Sequence, residues 1–562
     1  MKHTASTSDA VYSVATCFFF LMTEKTYLRI RLYTTIGFAF LIVFPFFLYT
    51  FRDEYRGLVP IRVNDDGMYF AHIQSALLGR SDEVTNGILL TDPPIRGAGP
   101  ALIEGVAGFL FGPTRLRGPQ VSLLLTVLIA PLLIPLMSTF LRRIGLSRGI
   151  AIGATLLFTF VCLSPLQRPV HMSLSLPLSL FALVLLERAY TKRTISSALA
   201  AGALFGVLPA VYFWTWTYLF AAGAALLTTH LFLTPKSPIK KKQTIALCIV
   251  AVTALLLSAP YFLHLLKLQM SNPFFAEVAL RSNVVPSRIV ESLPRSLLLT
   301  LLFVCAVIFS WRKKAESPPP LFPLALVAAA FVVMHQNLVH GTDFMFSSHY
   351  YPYVVLSALV MAAWVLQKGF SFRPRFDALL KGGILSIAGV FLIAGAWDYR
   401  VAWSLPFAHR THLDLQHLRS SLKLLRNGTR EVVLTDYASA QMIPSWTEDS
   451  VVFTPYVRHL LVSNTEFAER YCLSELPSPQ GPDIAWITWE ATQVQSRHLY
   501  PEREREFQAV CAALLEDPAA ALQKYAVDYL LWNKRKRPEW VIDETLFSFV
   551  AEGEDWSLWK VK

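Results

Sequence analysis

The chain has 562 residues, of which 54% are hydrophobic and only 16% are charged, and its formal net charge is +12. Soluble globular proteins carry about a quarter charged residues, so this composition excludes an ordinary soluble fold and indicates a membrane protein. The Lys and Arg residues concentrate between apolar runs, where membrane topology accounts for them. The positive charge therefore does not indicate a nucleic-acid partner, and we expect none.

Residues 1–30 are predicted to form an N-terminal cytoplasmic segment. The apolar stretch at residues 11–22 is too short to span a membrane, and only Lys2 and His3 precede it as basic residues, so it is a poor signal peptide. Residues 1–21 are interpreted as an extension without structural consequence.

Eleven apolar runs follow, and about 17 to 25 apolar residues are enough to cross a bilayer as a helix. We predict spanning helices near residues 31–50, 119–140, 148–164, 171–187, 196–211, 213–233, 244–266, 295–311, 321–338, 350–367 and 382–397. Together they predict an α-helical polytopic membrane domain over residues 31–397.

Every second loop between these runs is basic. The five clusters are Arg142, Arg143 and Arg148; Arg188, Lys192 and Arg193; Lys236 and Lys240 to Lys242; Arg312 to Lys314; and Lys368, Arg373, Arg375 and Lys381. Cytoplasmic loops are enriched in Lys and Arg, so these loops and the N-terminus are predicted to lie inside. The outer segments are then residues 51–118, 267–294 and 340–349. Residues 98–112 are apolar but short, and a span there would invert every later loop, so an interfacial or re-entrant segment is predicted.

Residues 398–562 have ordinary polar content and predict an extracytoplasmic α/β domain. Helices are predicted at residues 413–426, ending at Asn427-Gly428, and at 518–525. Strands are predicted at residues 431–435, 483–488 and 527–532, with a final pair around the turn at residues 552–555. A disulfide between Cys472 and Cys511 is one possibility, because spacing alone does not show proximity.

The acidic pair Asp65 and Asp66 lies in the first outer loop and precedes a predicted helix. Adjacent carboxylates at a membrane surface repel each other, so they are tolerated where they bind a cation, accept protons or are fully hydrated. Asp66 is also a good N-cap residue that the helix dipole favours. On the residues alone, capping and chemistry both stay open.

An acidic motif directly after the first membrane helix resembles that of GT-C glycosyltransferases, polytopic enzymes that take a sugar from a polyprenyl-phosphate carrier. That superfamily includes oligosaccharyltransferase catalytic subunits, protein O-mannosyltransferases and lipid A aminoarabinose transferases. Four further stretches resemble its poorly characterised bacterial branch: residues 212–218 (YFWTWTY), 335–350 (HQNLVHGTDFMFSSHY), 433–454 and 522–530. The similarity spans most of the chain.

The resemblance implies a bacterial inner-membrane enzyme whose site faces outward, with the lipid bilayer and a lipid-linked sugar donor as its partners. It implies that Asp65 or Asp66 is the catalytic base, or that both hold a divalent cation such as Mg or Mn. The departing phosphate needs positive charge, for which Arg281, Arg288 and Arg295 are candidates, with surface arginines that contact lipid headgroups as the alternative. His340 and His349 are further candidates for substrate binding, either as proton carriers or as phosphate donors, with helix-end histidines that backbone groups satisfy as the alternative.

The sequence departs from the superfamily pattern at two places. Residues 340–342 are His-Gly-Thr where an Arg is expected, and residues 165–170 lack the second acidic motif of metal-dependent members. Two alternatives therefore stay beside the enzyme: a transporter or flippase, and a catalytically inactive scaffold. The chain has no convincing internal repeat and few ionisable residues within its spans, which disfavours a transporter.

Overall fold

The computed structural model of the chain combines a bundle of apolar helices with a C-terminal domain built on a five-stranded sheet. The structure describes residues 22–59, 66–80, 89, 101–162, 171–282, 284–286, 300–301, 304, 321–344, 347–368, 415–426, 428–492 and 499–562. The predicted span at residues 382–397, and nearly all of the span at 295–311, lie outside this part of the chain.

Thirteen α-helices and one short ribbon precede the C-terminal domain in the described residues. The helices are α1 (Glu24–Thr50), α2 (Asp66–Leu77), α3 (Leu102–Phe111), α4 (Gly118–Ile129), α5 (Leu133–Arg143), α6 (Arg148–Val161), α7 (His171–Lys192), α8 (Ile195–Val207), α9 (Phe213–Leu233), α10 (Pro238–Ser271), α11 (Phe275–Arg281), α12 (Leu321–His340) and α13 (Tyr351–Lys368). Strands β1 (Val284–Pro286) and β2 (Thr342–Phe344) pair in antiparallel fashion.

Six helical segments in the described residues are long and apolar enough to cross a membrane. They are Glu24–Thr50, Gly118–Arg143, Met172–Lys192, Phe213–Leu233, Pro238–Ser271 and Leu321–His340. Three other predicted spans appear as shorter apolar helices, at Arg148–Val161, Ile195–Ala210 and Tyr351–Gln367. The segment predicted to be interfacial or re-entrant contains the ten-residue helix α3.

Four of the helices begin at hydroxyl caps in loops that are predicted to be cytoplasmic. The side chains of Thr23, Ser147, Thr194 and Ser237 each accept a hydrogen bond from a backbone N–H in the first turn of α1, α6, α8 and α10. Such caps satisfy donors that a helix cannot pair internally. Local sequence therefore determines where these helices start.

Helices α8 and α10 pack together through two glycines one turn apart. A Cβ atom at Gly202 would lie 2.6 Å from Cβ of Thr253, and one at Gly206 would lie 2.6 Å from Cβ of Leu257. Small residues at this spacing let two membrane helices approach closely, which strengthens their van der Waals contact.

Parts of α1 and α10 present large apolar side chains that no other described residue covers. They include Leu32, Ile36, Phe40 and Phe47 on α1, and Val252, Leu256, Leu263 and Met270 on α10. An apolar surface of this extent is unfavourable in water and suits contact with lipid acyl chains.

The C-terminal domain, which we call the outer domain, alternates helices and strands. Its helices are α14 (Arg419–Leu424), α15 (Tyr437–Ala440), α16 (Ile443–Trp446), α17 (Asn464–Ser474), α18 (Ile484–Thr492), α19 (Tyr500–Glu516) and α20 (Pro518–Lys524). Its strands are β3 (Val432–Thr435), β4 (Ser450–Val451), β5 (Tyr529–Asn533), β6 (Phe547–Glu552) and β7 (Trp556–Val561). The sheet order is β4-β3-β5-β7-β6, with β3 parallel to both of its neighbours and the last two pairings antiparallel.

Most of the predicted outer-domain elements are confirmed. Strand β3 is buried along its length, as its four apolar or β-branched residues predict, and β6 and β7 form the expected terminal pair. The helix predicted at residues 413–426 is shorter, consisting of a 3-10 turn at Gln416–Leu418 and α14. Gly428 has a φ of +83°, a conformation that glycine adopts without strain.

The strand predicted at residues 483–488 is wrong, because this segment is helix α18. Asp483 accepts a hydrogen bond from the backbone N–H of Trp486 at 2.9 Å, which caps the helix. Ile487 and Ala491 then fall on one buried face at a spacing of four residues. A short apolar run is ambiguous between helix and strand, and the cap decides this case.

Cys472 and Cys511 form a disulfide between α17 and α19, with their Cα atoms 5.5 Å apart. Both residues are buried in the core of the outer domain. The possibility raised from the sequence is therefore confirmed, although their separation of 39 residues could not establish it.

We expect Gly206→Ala to weaken the contact between α8 and α10, because the new methyl group would overlap Leu257 and the carbonyl of Ala254. Overpacking of this kind costs about 1–3 kcal/mol. The measurement is the midpoint of thermal aggregation of the detergent-solubilised full chain, which should fall by several degrees. Gly223→Ala is the control, since its Cβ would meet only a Phe205 ring carbon at 3.7 Å. Equal midpoints for the two variants would contradict this account.

Candidate functional site

The structure describes only some of the residues that the sequence singles out. Asp65, Arg288 and Arg295 lie outside the described residues, and of Asp66 only the backbone, at the start of α2, is described. Arg281, His340 and His349 are described with their side chains. Of the acidic pair, only Asp66 is therefore located, through the backbone of the helix that it begins.

Helix α2 is held by close contacts on three sides. At its start, a Cβ atom at Gly67 would lie 2.9 Å from Cβ of Gln441 in the outer domain. At its end, a Cβ atom at Gly108 of α3 would lie 2.5 Å from the carbonyl oxygen of Ala76. Gly118, which begins α4, would carry a Cβ in overlap with the carbonyl oxygen of Phe70. Gly108 and Gly118 are required because two backbones approach too closely there for a side chain, and at Gly67 a side chain would collide with that of Gln441.

Hydrogen bonds fix the same helix. The Ser445 hydroxyl of α16 donates to the carbonyl oxygen of Gly67 at 3.2 Å, and the backbone N–H of Gly118 donates to Oε1 of Gln74 at 2.8 Å. The start of α2, where the backbone of Asp66 lies, is thus one point where the first outer loop touches the outer domain.

His72, which follows the acidic pair on α2, packs inside the protein. Its side chain is buried, and its ring meets that of Tyr69 edge to face, with centroids 6.4 Å apart. Burial lowers the pKa of the His72 imidazole to about 4, so the side chain is neutral at physiological pH.

Further contacts join the first outer loop to the outer domain. The side-chain amide of Gln416 accepts from the backbone N–H groups of Arg56 and Leu58 at 3.0 and 3.1 Å, and donates to the carbonyl of Leu58 at 2.9 Å. The Arg117 guanidinium pairs with the Glu448 carboxylate at 2.7 Å. These contacts place the outer domain on the same side of the helix bundle as the first outer loop.

Arg281 joins the second outer segment to the outer domain. Its guanidinium is only 1% exposed and donates to the carbonyl oxygens of Leu460 and Val462 at 3.2 and 2.6 Å. It also donates to Oδ1 of Asn464 at 2.6 Å. Burial lowers the pKa of the guanidinium to about 10 and nearby Glu277 opposes this, so Arg281 stays charged at neutral pH. Because protein oxygens meet these donors, the geometry favours a structural role for Arg281 over contact with a phosphate.

The third outer segment is tied to the second through the β1–β2 ribbon, in which Val284 pairs with Phe344. His340 lies at the end of α12, is exposed, and accepts a hydrogen bond at Nδ1 from the backbone N–H of Thr342 at 3.2 Å. The second and third outer segments and the outer domain are therefore connected to one another.

Two aromatic side chains, those of Tyr212 and Trp214, contact the imidazole of His349. The Tyr212 hydroxyl lies 2.5 Å from its Nδ1, and the Trp214 ring stacks on the imidazole with centroids 4.2 Å apart and an interplanar angle of 17°. Stacking and the hydrogen bond together restrict the orientation of the imidazole.

Two segments that the sequence analysis quoted separately meet here. Thr217 and Gln336 both reach the hydroxyl of Tyr350, at 2.8 and 3.0 Å. The Tyr218 hydroxyl lies 2.8 Å from that of Ser357 on α13. The aromatic stretch at residues 212–218 thus forms the wall of the site around His349. Sequence reasoning missed Tyr212 and Trp214 as partners of His349, and only the unusual density of aromatic residues signalled them.

No group of three or more His, Cys, Asp and Glu side chains that could hold a metal ion occurs among the described residues. Asp65 and the side chain of Asp66 lie outside that set. A divalent cation at the acidic pair accordingly stays a prediction.

Solved structures that are similar to this chain have 12–13% sequence identity. ArnT from Cupriavidus metallidurans in the apo state matches at TM-score 0.48 and 13% identity, over 93% of this chain and 98% of that chain. The same protein bound to undecaprenyl phosphate matches at TM-score 0.42 and 12% identity, over 96% and 98%. Oligosaccharyltransferase AglB from Archaeoglobus fulgidus, in complex with an inhibitory peptide and a dolichol-phosphate, matches at TM-score 0.47 and 12% identity, over 90% and 70%.

No family model and no curated protein sequence matches the chain. At these identities and TM-scores, the function has to be argued from the residues of this chain.

Replacing Arg281 by Met should loosen the outer domain, because three buried acceptors would lose their donor. An unpaired buried polar group costs about 1–3 kcal/mol, so the loss should reach at least about 3 kcal/mol. Limited proteolysis of the full chain in detergent should detect it as faster cleavage between the membrane domain and the outer domain. Arg505→Met is the control, because Arg505 is exposed on α19. Unchanged cleavage together with lost glycan product would instead identify Arg281 as a substrate ligand.

Proposed function

We propose that this protein is a membrane glycosyltransferase that transfers a sugar from a polyprenyl-phosphate-linked donor to an acceptor outside the cytoplasm. The observation that carries the proposal is the contact of Gly67 with Gln441 and Ser445. It puts the start of α2, where the backbone of Asp66 lies, at a contact between the first outer loop and the outer domain. A donor anchored in the bilayer and a water-exposed acceptor can both reach such a junction.

The proposed chemistry is one displacement at the anomeric carbon. An acceptor hydroxyl oxygen bonds to that carbon while the bond from the carbon to the phosphate oxygen breaks, and the phosphate leaves with the electron pair. Asp65 or Asp66 takes the hydroxyl proton as general base, which requires a carboxylate within hydrogen-bond reach of the acceptor. If a divalent cation takes part, the same two carboxylates would hold it, and it would neutralise phosphate charge.

His349 is proposed to contact the phosphate of the donor. Its Nδ1 lies 2.5 Å from the Tyr212 hydroxyl, which fixes the orientation of the imidazole. A positioned imidazole can donate a hydrogen bond to a phosphate oxygen or return a proton to it after transfer. Tyr212 and Trp214 act as positioning residues that orient the ring. His340, Arg288 and Arg295 stay candidates for the same phosphate.

The proposed setting is a bacterial inner membrane, crossed by about eleven helices, with the N-terminus inside and the outer domain outside. Three features support this orientation. The basic clusters alternate with the loops that contact the outer domain, the two outer loops and the domain share one side, and the domain contains a disulfide. Disulfides persist in oxidising compartments and are rare in the cytosol.

Asp65→Asn and Asp66→Asn should each abolish the glycan product while leaving the amount of protein in the membrane unchanged, because an amide takes up no proton and binds a cation poorly. The measurement is the glycolipid and glycan profile of cells that express each variant in place of the normal protein. Asp53→Asn is the matched control, an exposed carboxylate in the same outer loop. Normal product in both acidic variants would count decisively against the enzyme and favour a scaffold.

We expect His349→Ala to lower product at least about tenfold, as loss of a general acid or a phosphate contact does. Tyr212→Phe removes one hydrogen bond worth about 1 kcal/mol, so its product should fall about fivefold. The glycolipid and glycan profile of cells measures the product of both variants, and His264→Gln on α10 is the control. If His349→Ala and His264→Gln gave equal product, His349 would have no part in the reaction.

A further inference from the structure

The outer domain has a topological switch point between β3 and β5. From β3 the chain crosses to β4 on one side of it, and then returns to β5 on the other side. Connections that leave in opposite directions open a crevice at the carboxyl ends of the two strands, and open α/β sheets bind their ligands there. In this domain the crevice is bordered by Asp436, which follows β3, and by Asn533, which ends β5.

Polar side chains gather at this edge. We call Asp436, Tyr437, Glu475, Trp486 and Arg537 the carboxyl-edge cluster. Nη2 of Arg537 pairs with Oε1 of Glu475 at 2.5 Å, and the charge of Arg537 also acts on Asp436.

Asp436 has a carboxylate oxygen that no described residue satisfies. Its Oδ1 accepts from the backbone N–H groups of Ala438 and Ser439 at 3.0 and 3.1 Å, which caps α15. Its Oδ2 has no hydrogen-bond partner among the described residues, although the side chain is only 2% exposed. A buried, unpaired carboxylate oxygen is costly, which points to a hydroxyl or water partner that the protein does not itself provide.

Burial raises the pKa of both carboxyl groups in the cluster. The pKa of the Glu475 carboxyl rises to about 7, although the Arg537 guanidinium opposes that shift. Burial likewise raises the pKa of Asp436, against the hydrogen bonds from Ser439 and Ala438. Near neutral pH, Glu475 can therefore both accept a hydrogen bond from a hydroxyl-rich ligand and donate one to it.

The aromatic rings of Tyr437 and Trp486 line another side of the crevice. Tyr437 is 50% exposed, and its ring lies 6.3 Å from that of Trp486 at an angle of 37°. Trp486 in turn packs on Tyr471 at 5.1 Å, so the exposed part of this wall rests on a buried ring. Rings held in this way present a rigid apolar face that costs little conformational entropy on binding.

This edge lies beside the start of α2. Tyr437 and Gln441 are separated by four residues along α15 and its C-cap, which puts them on one face. Gln441 is the residue that Gly67 touches. Asp66 directly precedes Gly67, and Tyr437 lies four residues before Gln441, so each is close along the chain to the contact between Gly67 and Gln441.

We propose that the carboxyl-edge cluster binds the acceptor of the transfer reaction, and that this acceptor is a saccharide. This inference rests on the proposed function and names its acceptor class. The ring wall of Tyr437 and Trp486 fits the apolar face of a sugar ring. The carboxylates of Asp436 and Glu475 fit its hydroxyl groups. A hydroxyl of a sugar held there lies on the side of the domain that faces the start of α2.

The test is binding of the detergent-solubilised full chain to an array of immobilised oligosaccharides. The variants are Tyr437→Ala, Trp486→Ala and Tyr437→Phe. Loss of a stacking ring costs about tenfold in affinity, so each alanine variant should bind its saccharides about tenfold more weakly. Tyr437→Phe keeps the ring and should bind within about twofold of the normal protein. Phe549→Ala is the matched control, an exposed ring on β6 at the far edge of the sheet, and it should bind normally.

Three results would overturn the proposal: no saccharide retained by the normal protein, equal retention by the alanine variants, or Tyr437-dependent binding to vesicles of phosphatidylglycerol in its place. The Asp66→Asn variant distinguishes this failure from failure of the proposed function. It should retain saccharide binding on the array and lose product in cells. Lost product in Asp66→Asn with normal product and normal array binding in Trp486→Ala would refute the acceptor site alone.

Discussion

The contact between Gly67 and the Gln441–Ser445 segment is the constraint on which the rest of the site depends. Helix α2 is too short to be stable alone, because helices of fewer than about 12–15 residues are marginal in water. Its position comes from close approaches on three sides, each at a glycine: to the Gln441 side chain at Gly67, and between backbones at Gly108 and Gly118. A side chain at any of these three positions would push α2 away from its neighbours. Asp66, which begins α2, would then move relative to both the membrane domain and the outer domain.

Arg281 connects the second outer segment to the outer domain. This connection depends on hydrogen bonds from a buried charge, whereas the contact at Gly67 depends on close packing. A buried guanidinium is expensive to desolvate and is tolerated only where its donors are met. Here two carbonyl oxygens and an amide oxygen of the outer domain meet them. The outer domain is therefore attached to the first outer loop by close packing and to the second by charge-assisted hydrogen bonds. Two attachments fix its orientation better than one, and this matters if the reaction needs a donor and an acceptor within bonding distance.

Much of the fold could be predicted from local pattern, whereas the site could not. The six long apolar helices, strand β3 and the β6–β7 pair follow from hydropathy and β-branched runs. The segment at residues 483–488 was predicted as a strand and is a helix, because a short apolar run carries no period strong enough to outweigh the cap at Asp483. Arg281 was a reasonable phosphate ligand by residue type and position, and its burial between loop and domain is not visible in the sequence.

Composition and periods of a few residues predict that the chain is a membrane protein, that basic loops alternate with other loops, and that an α/β domain lies at the C-terminal end. These features are local, so the order of residues along the chain is enough to find them. Tertiary packing is what brings Tyr212 and Trp214 to His349, Cys472 to Cys511, and Gln441 to Gly67 at the start of α2. Each of these pairs is separated by tens to hundreds of residues. Their proximity is set by how whole elements pack, and packing depends on the shapes of many side chains at once.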